Sequence, residues 1–424
     1  MLLPEEFINT TRKLMGEALS DRLFAGLGQE PPVTIRINPL KCYNMPLNID
    51  YRVPWCNTGY YLTTRPAFTF DPLLHAGLYY VQEASSMFIH HVLRQLITQP
   101  VVMLDLCAAP GGKSTAARTI LPKGSLLMAN DPIGKRAQVL AENLQKFGHR
   151  DVMVSNNYPR DFQKSGLGFD VVLADVPCSG EGMFRRDADA IGEWSAQNVA
   201  RCWQLQREIV SDIWPALRPG GLFIYSTCTF NAFENEENVR WICESLGALP
   251  ITVSTQPEWN ITGSLVPGFQ QPVYRFLPGI SRGEGLFMAV LQKHGSSAPT
   301  NGSSVYTAAN RHLRILHDGM AMAASLPEKG TAPHPAMALS AAFDRNAYPL
   351  VPLSYPEAIS YLRGEALRLS PDVPRGYVAV TYLGIPLGFA KNIGSRANNL
   401  HPQPWRIKST HVPDTPPEVL NYKA

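Results

Sequence analysis

From residue 101 onward, short runs of uninterrupted apolar residues alternate with stretches in which apolar positions recur at helical spacing. VVMLDL (101–106), SLLMAND (125–131), DVMVSN (151–156), FDVVLADV (169–176) and LFIYST (222–227) read as strands. Gly112–Leu121, Lys135–Phe147, a helix around Ser195–Leu217, and Asn235–Leu246 read as helices, with RPGG before the fifth strand as a tight turn. VYRFLP (273–278) and LFMAVLQK (286–293) predict a closing hairpin. Strands that are apolar throughout and alternate with helices predict a parallel sheet covered on both faces. The fold class is therefore α/β, with a doubly wound, Rossmann-like sheet.

The rhythm differs on either side of this unit. A helix (Pro4–Leu27), the strand VTIRIN (33–38) stopped by Pro39, and a Pro- and Tyr-rich stretch precede it. The helix QEASSMFIHHVLRQLI (82–97) follows, with Glu83 in its first turn, where the helix dipole favours an acid. After residue 293 the segment HGSSAPTNGSS is small, polar and low in complexity, as a linker would be. Beyond it GYVAVTYL (376–383), PLGFAKNI (386–393) and WRIKS (405–409) read as strands of a β-rich domain. The expected organisation is a small α/β N-terminal region at 1–75, the sheet domain at 76–294, a linker at 295–310 and the β-rich domain at 311–424. No internal repeat is visible.

Composition narrows the class. A chain of 424 residues, 45% hydrophobic and 17% charged, is globular and long enough for two or three domains. It has no continuous apolar run of about 18 residues, so no membrane span is expected. MLLPEEFINTTRKLMGE lacks the basic start and apolar core of a signal peptide. Seven scattered cysteines, none in a CxxC pair, point to a reducing cytoplasm and to no metal site. A net charge of +3 permits a nucleic-acid partner without demanding one.

LDLCAAPGGKS (104–114) follows the first strand and opens a helix. Its glycines allow close backbone approach, and a helix N-terminus attracts negative charge. A P-loop needs glycine where Cys107 stands, and a GxGxxG fingerprint is absent. S-adenosylmethionine remains, and Cys107, Ala108, Ala109, Pro110, Gly111, Gly112 and Lys113 are the expected cradle for its amino-acid end. Asp131 closes the second strand about 20 residues on, where an acid suits a ribose hydroxyl. Arg136 on the next helix and Asn157 after the third strand are further candidates, Asn157 on the adenine side.

Cys178 in DVPCSGEG and Cys228 in YSTCTF each sit just past an apolar strand. In an open parallel sheet those ends share the edge where ligands bind. A thiolate adding to carbon 6 of a pyrimidine makes carbon 5 enamine-like and open to methylation, which is nucleophilic catalysis. A free thiol, with pKa about 8.5, needs help to ionise. Lys113 is placed to lower a nearby thiol's pKa or to hold a phosphate, Asp175 to hold the base at N3, and the Pro177 carbonyl to accept from the exocyclic amine. Cys42, Cys56, Cys202 and Cys243 read as ordinary small hydrophobes. These residues alone do not rank the two strand-end thiols.

Taken together, DLCAAPGGKS, Asp131, DVPCSGEG and YSTCTF resemble the Sun-type (Nol/Nop/Sun) RNA cytosine-C5 methyltransferases, as do RIN (36–38), QEASSM (82–87) and GLFMAVLQK. The resemblance spans roughly residues 30–293. It implies a methyltransferase sheet, S-adenosylmethionine as cofactor, Cys228 as nucleophile and Cys178 as the thiol that assists product release. It also implies that residues 107–113, Asp131, Asn157 and Asp175 line the cofactor site. SGEGMFRRD (179–187) looks like the subgroup that modifies bacterial small-subunit (16S) rRNA, and GYVAVTYLGIPLGFAKNIGSRANNLHP is similar to its PUA-like RNA-binding module. Lys391, Arg396 and Asn399 are then candidate RNA contacts. The expectation is a cytoplasmic, monomeric enzyme acting on 16S rRNA or a small-subunit particle. Competing readings are the same chemistry on tRNA, a non-catalytic RNA-binding ribosome-assembly factor, and a small-molecule methyltransferase.

Overall fold

The computed structural model describes residues 2–42, 51–298, 300, 302–320 and 331–420. The apolar runs become the parallel strands of one sheet: β5 (Val102–Asp105), β6 (Leu126–Asn130), β7 (Val152–Ser155), β8 (Phe169–Asp175) and β9 (Leu217–Thr227). Four earlier strands, β1 (Val33–Ile37), β2 (Arg52–Val53), β3 (Cys56–Leu62) and β4 (Tyr79–Val81), form a separate antiparallel sheet. β10 (Ala248–Pro250), β11 (Tyr274–Phe276) and β12 (Leu286–Lys293) complete one edge of the large sheet, both β10 and β11 pairing antiparallel with β12. β13 (Ile315–Asp318) closes the opposite edge against β7, giving the order β10-β12-β9-β8-β5-β6-β7-β13.

Alternate residues of each strand feed two cores. Met103, Leu127 and Val154 pack with Val92, Ala117 and Leu140 on one face. Val102, Leu104 and Met128 pack with Phe162, Val210 and Ile242 on the other. This is the doubly wound arrangement expected from continuous apolar strands. RPGG, expected as a turn, is an irregularity within β9, where the register against β8 jumps from Leu217 to Leu222.

Three further sequence expectations are corrected. Gly16, at φ 73°, breaks the anticipated helix 4–27 into Glu5–Met15 and Glu17–Leu27, because a left-handed residue ends the helical ladder. Residues 295–310 are not simply a linker: the helix Gly302–His312 buries Val305 and Ala309 in the second core, and its chain continues into β13. WRIKS forms no strand; a single 3-10 turn, Gln403–Trp405, stands there. The C-terminal sheet is instead β14 (Leu350–Leu353), β15 (Gly376–Tyr382), β16 (Ile385–Asn392) and β17 (Ala397–Asn399), with β14 parallel to β15.

The two flanking sheets share one core. Ile35, Leu73 and Leu78 of the N-terminal region pack in the same cluster as Val351, Ile359 and Val378. The Tyr355 hydroxyl donates to the Phe70 carbonyl across this junction at 3.2 Å. The N-terminal sheet is also fixed to the large domain. Arg36, fully buried on β1, donates to Gln82 Oε1 at 2.7 Å, to Thr115 Oγ1, and to the Gly112 carbonyl at 3.4 Å.

Two buried ionisable features carry stability consequences. Arg275 on β11 donates to both Glu236 oxygens at 2.7 Å, and neither side chain is exposed. Arg275→Met should cost about 3–5 kcal/mol in denaturant unfolding, and adding Glu236→Leu should recover much of it, because no lone buried charge remains. At the end of β5, burial raises the Asp105 carboxyl to about 7; the Ser114 hydroxyl bond and Lys113 oppose the shift, whereas Asp175 and Asp131 add to it. The folded chain thus holds a proton that the unfolded chain releases near pH 4. Its contribution to stability is complete below about pH 4 and declines as the pH rises to about 7. Unfolding midpoints of wild type and Asp105→Asn across that window should differ in slope; parallel profiles would show that Asp105 ionises as it does in the unfolded chain.

Candidate active site

The strand order reverses between β5 and β8, which leaves a crevice at the carboxyl ends of the parallel strands. β8 and β9 pair in parallel with Asp175 opposite Ser226, so the loops that follow leave the sheet side by side. Cys178 and Cys228, 50 residues apart in sequence, thereby come to 3.2 Å between sulfurs. The hydrogen bond with Cys228, reinforced by burial, holds the Cys178 thiol well above its ordinary pKa.

A polar network fixes this approach. Glu181, in the first loop, accepts from the backbone N–H groups of Phe230 and Asn231 at 2.6 and 3.0 Å, and from Trp194 Nε1 at 3.0 Å. Glu234, in the second, accepts from the Ser179 N–H at 3.0 Å and from Gln206 Nε2 at 2.7 Å. The Gly182 N–H donates to the Cys228 carbonyl at 2.6 Å. A Cβ on Gly182 would lie 2.4 Å from that carbonyl oxygen, so only glycine permits the contact. The Pro177 carbonyl accepts from Gln206 at 2.9 Å, so one of its lone pairs is committed within the protein rather than open to a base.

Lys113, from the first turn of the helix Gly112–Ile120, donates to Asp175 Oδ2 at 2.7 Å. Burial acts to lower the lysine's pKa, but Asp175, Cys228 and Asp105 outweigh it, and the net shift is upward. A persistent ammonium therefore stands beside both the carboxylate and the thiol.

The residues at the ends of β5 and β6 fit the amino-acid and ribose parts of S-adenosylmethionine. Gly111, at φ 112°, turns the loop into the helix, leaving the helix N–H groups at the crevice. Asp105 Oδ1 is buried and without a partner, a polar atom left over for a ligand group. Asp131 Oδ1 accepts from the Ile133 N–H at 3.0 Å, and burial raises its pKa. Arg136 bridges Asp131, at 3.2 Å, and the Ala109 carbonyl, at 3.1 Å. Asn143 Nδ2 holds the Pro110 carbonyl at 2.8 Å. Ala108 donates its N–H to the Asn130 carbonyl at 2.8 Å.

Not every expected contact points into the crevice. The Cys107 side chain is part of the apolar core beneath the loop. Asn157 is bonded in both directions to the backbone of Arg314, at 3.3 and 3.1 Å, and so clamps the chain entering β13 rather than facing an adenine. Asn399 spends its amide donors on the carbonyls of Tyr361 and Glu365, both at 2.8 Å. Lys391 is exposed and lies 5.2 Å from the Tyr377 ring centroid, and Arg396 is exposed. Arg36, Asp105, Glu181 and Glu234 were not singled out from sequence. The motifs RIN, DLCAAPGGKS and SGEG, which contain Arg36, Asp105 and Glu181, offered a signal; Glu234 is a charged residue that pattern alone assigns to solvent.

Comparison with known proteins agrees with this geometry. Residues 97–292 match the model of the 16S rRNA methyltransferase RsmB/F family. Residues 3–84 match the N-terminal domain of 16S rRNA methyltransferase RsmF, and residues 348–407 match the RsmF PUA domain. Ribosomal RNA small subunit methyltransferase F of Serratia proteamaculans is 34% identical over 319 residues, covering 70% of this chain and 65% of the relative. The protein of the same name from Erwinia tasmaniensis is 29% identical, with 95% and 96% covered. Among solved structures, NSun6 from Pyrococcus horikoshii shares the fold, with a TM-score of 0.57 at 20% identity over 69% of this chain and 99% of that one. A sheet with paired strand-end thiols, flanked by RsmF-type N-terminal and PUA domains, places this chain in the RsmB/F family of 16S rRNA methyltransferases.

Proposed function

We propose that the chain methylates carbon 5 of a cytosine in 16S rRNA, with Cys228 as the nucleophile and Cys178 as the thiol that serves release. The observation that carries this reading is the 3.2 Å approach of the two sulfurs beside the Lys113–Asp175 pair. The base is extruded or already unpaired, because the thiols lie at a strand-end crevice that a stacked base does not enter. The Lys113 ammonium, which interacts with Cys228 through charge, stands beside the attacking sulfur. The thiolate bonds to carbon 6, and the displaced electron pair makes carbon 5 nucleophilic. Asp175 holds the N3 edge of the ring during addition. S-adenosylmethionine supplies the electrophilic methyl group, and residues 108–113, Asp105, Asp131 and Arg136 hold it. Water in the crevice then takes the carbon 5 proton, and the electron pair left behind re-forms the carbon 5–carbon 6 double bond and expels the Cys228 sulfur. Cys178, which keeps its own proton, donates to the departing Cys228 thiolate. The enzyme works in the cytoplasm as a monomer, and the PUA domain with Lys391 and Arg396 grips RNA outside the crevice.

Cys228→Ala should abolish both methyl transfer and adduct formation. Cys178→Ala should trap a covalent RNA adduct, seen as a slow-migrating, nuclease-sensitive band; an adduct in Cys228→Ala alone would reverse the two roles. Lys113→Gln should slow adduct formation, since Asp175 loses the ammonium that pairs with it at 2.7 Å; an unchanged rate would remove Lys113 from the reaction. Bisulfite sequencing of total RNA with and without the gene should reveal one lost 16S methylcytosine; loss of a tRNA mark instead would replace the substrate.

A further inference from the structure

A groove of about 660 Å³ opens beside the two thiol loops, between the N-terminal helix Glu5–Met15 and the helix Ala196–Ile213. Leu14, Val199, Trp203, Phe230 and Phe233 supply its apolar walls. Phe230 lies two residues beyond Cys228, so the groove begins where the catalytic loop ends. Phe233 is 61% exposed, an unusual position for a phenylalanine with no covering element. Trp203 stacks on the Arg207 guanidinium at 4.3 Å, while its Nε1–H is buried without a hydrogen-bond partner.

The charges select the occupant. Glu181 is saturated by four hydrogen bonds, and Glu237 is paired with Arg240 at 2.7 Å. Lys13, exposed on the rim, makes no ion pair among the described residues. A visitor therefore meets aromatic faces and one cation that makes no ion pair among the described residues. A segment of protein helix would have no use for that cation; an unstacked nucleotide uses both, through its ring and its phosphate.

We propose that this groove binds a nucleotide flanking the target cytosine. The inference rests on the reading of the chain as an RNA methyltransferase that flips its base. Extrusion of one base deprives its neighbour of a stacking partner, and Phe233, in the loop that follows Cys228, offers a replacement, with Trp203 on the helix Ala196–Ile213 lining the same groove. The groove thereby contributes sequence-tolerant affinity and fixes the register of the strand against Cys228.

The test uses full-length protein and 16S rRNA transcribed with 4-thiouridine. The Cys178→Ala variant first fixes the RNA as its covalent adduct, and irradiation then crosslinks neighbouring nucleotides. Crosslinks are expected on peptides carrying Trp203 or Phe233. Separately, Phe233→Ala should raise the KM for RNA about tenfold, the scale of one lost base–aromatic stack, with kcat changed by less than about twofold. Phe233→Trp should restore the wild-type KM, and melting temperatures should stay unchanged because the side chain is exposed. An adduct that yields no crosslink to these peptides, or an unchanged KM in Phe233→Ala, overturns the groove assignment alone. Absence of any adduct in Cys178→Ala overturns the underlying reading instead.

Discussion

Glu181 accepts hydrogen bonds from backbone N–H groups of the loop that follows β9, and Glu234 accepts from the loop that follows β8, so each loop is tied by a carboxylate of the other. Both acids are buried, and hydrogen bonds to a charged acceptor contribute about 1.5–3 kcal/mol each. The reciprocity matters more than the sum. Either carboxylate alone would orient its partner loop but leave its own free to drift. With both, and with Gly182 against the Cys228 carbonyl, two chain segments that share no covalent link keep their sulfurs at contact distance. Parallel strand pairing brings the segments to the same edge; the carboxylates set their separation.

Arg36 performs a comparable task at longer range. Its guanidinium joins β1 to Gln82 and to the first turn of the helix that begins at Gly112. The same turn carries Lys113, whose ammonium faces Asp175 and, through charge, Cys228. The N-terminal sheet is thus mechanically continuous with the cofactor loop and the thiols.

The central sheet was legible because its strands are buried on both faces, and burial writes uninterrupted apolar runs into the chain. The strand-end placement of Cys107 to Lys113, Asp131, Asp175, Cys178 and Cys228 followed from those runs. Other features left no such mark. β13 joins the sheet at its edge with only one buried residue, His317, so its four residues carry little apolar signal. β14 reads LVPL with alternating exposure, and a proline in it argues against a strand unless the position is an edge, which it is. Gly16 interrupts a helix whose two halves have compatible periodicity. Asn157 sits where a ligand contact is expected, but an extra edge strand, invisible in the local pattern, claims its side chain. Buried acids such as Glu181 and Glu234 are indistinguishable from solvated ones until the groups they satisfy are placed.

The core shared by Ile35, Leu73 and Leu78 with Val351, Ile359 and Val378 links the first hundred residues of the chain to the last hundred. During synthesis the N-terminal sheet is made first, yet its apolar face stays uncovered until β14 and β15 have left the ribosome. The large sheet between them has all of its parallel strands in hand long before that. Folding of this protein is therefore not a procession of finished domains along the chain. The platform that positions Arg36, and through it the catalytic turn, is completed last, by the part of the polypeptide most distant from it in time.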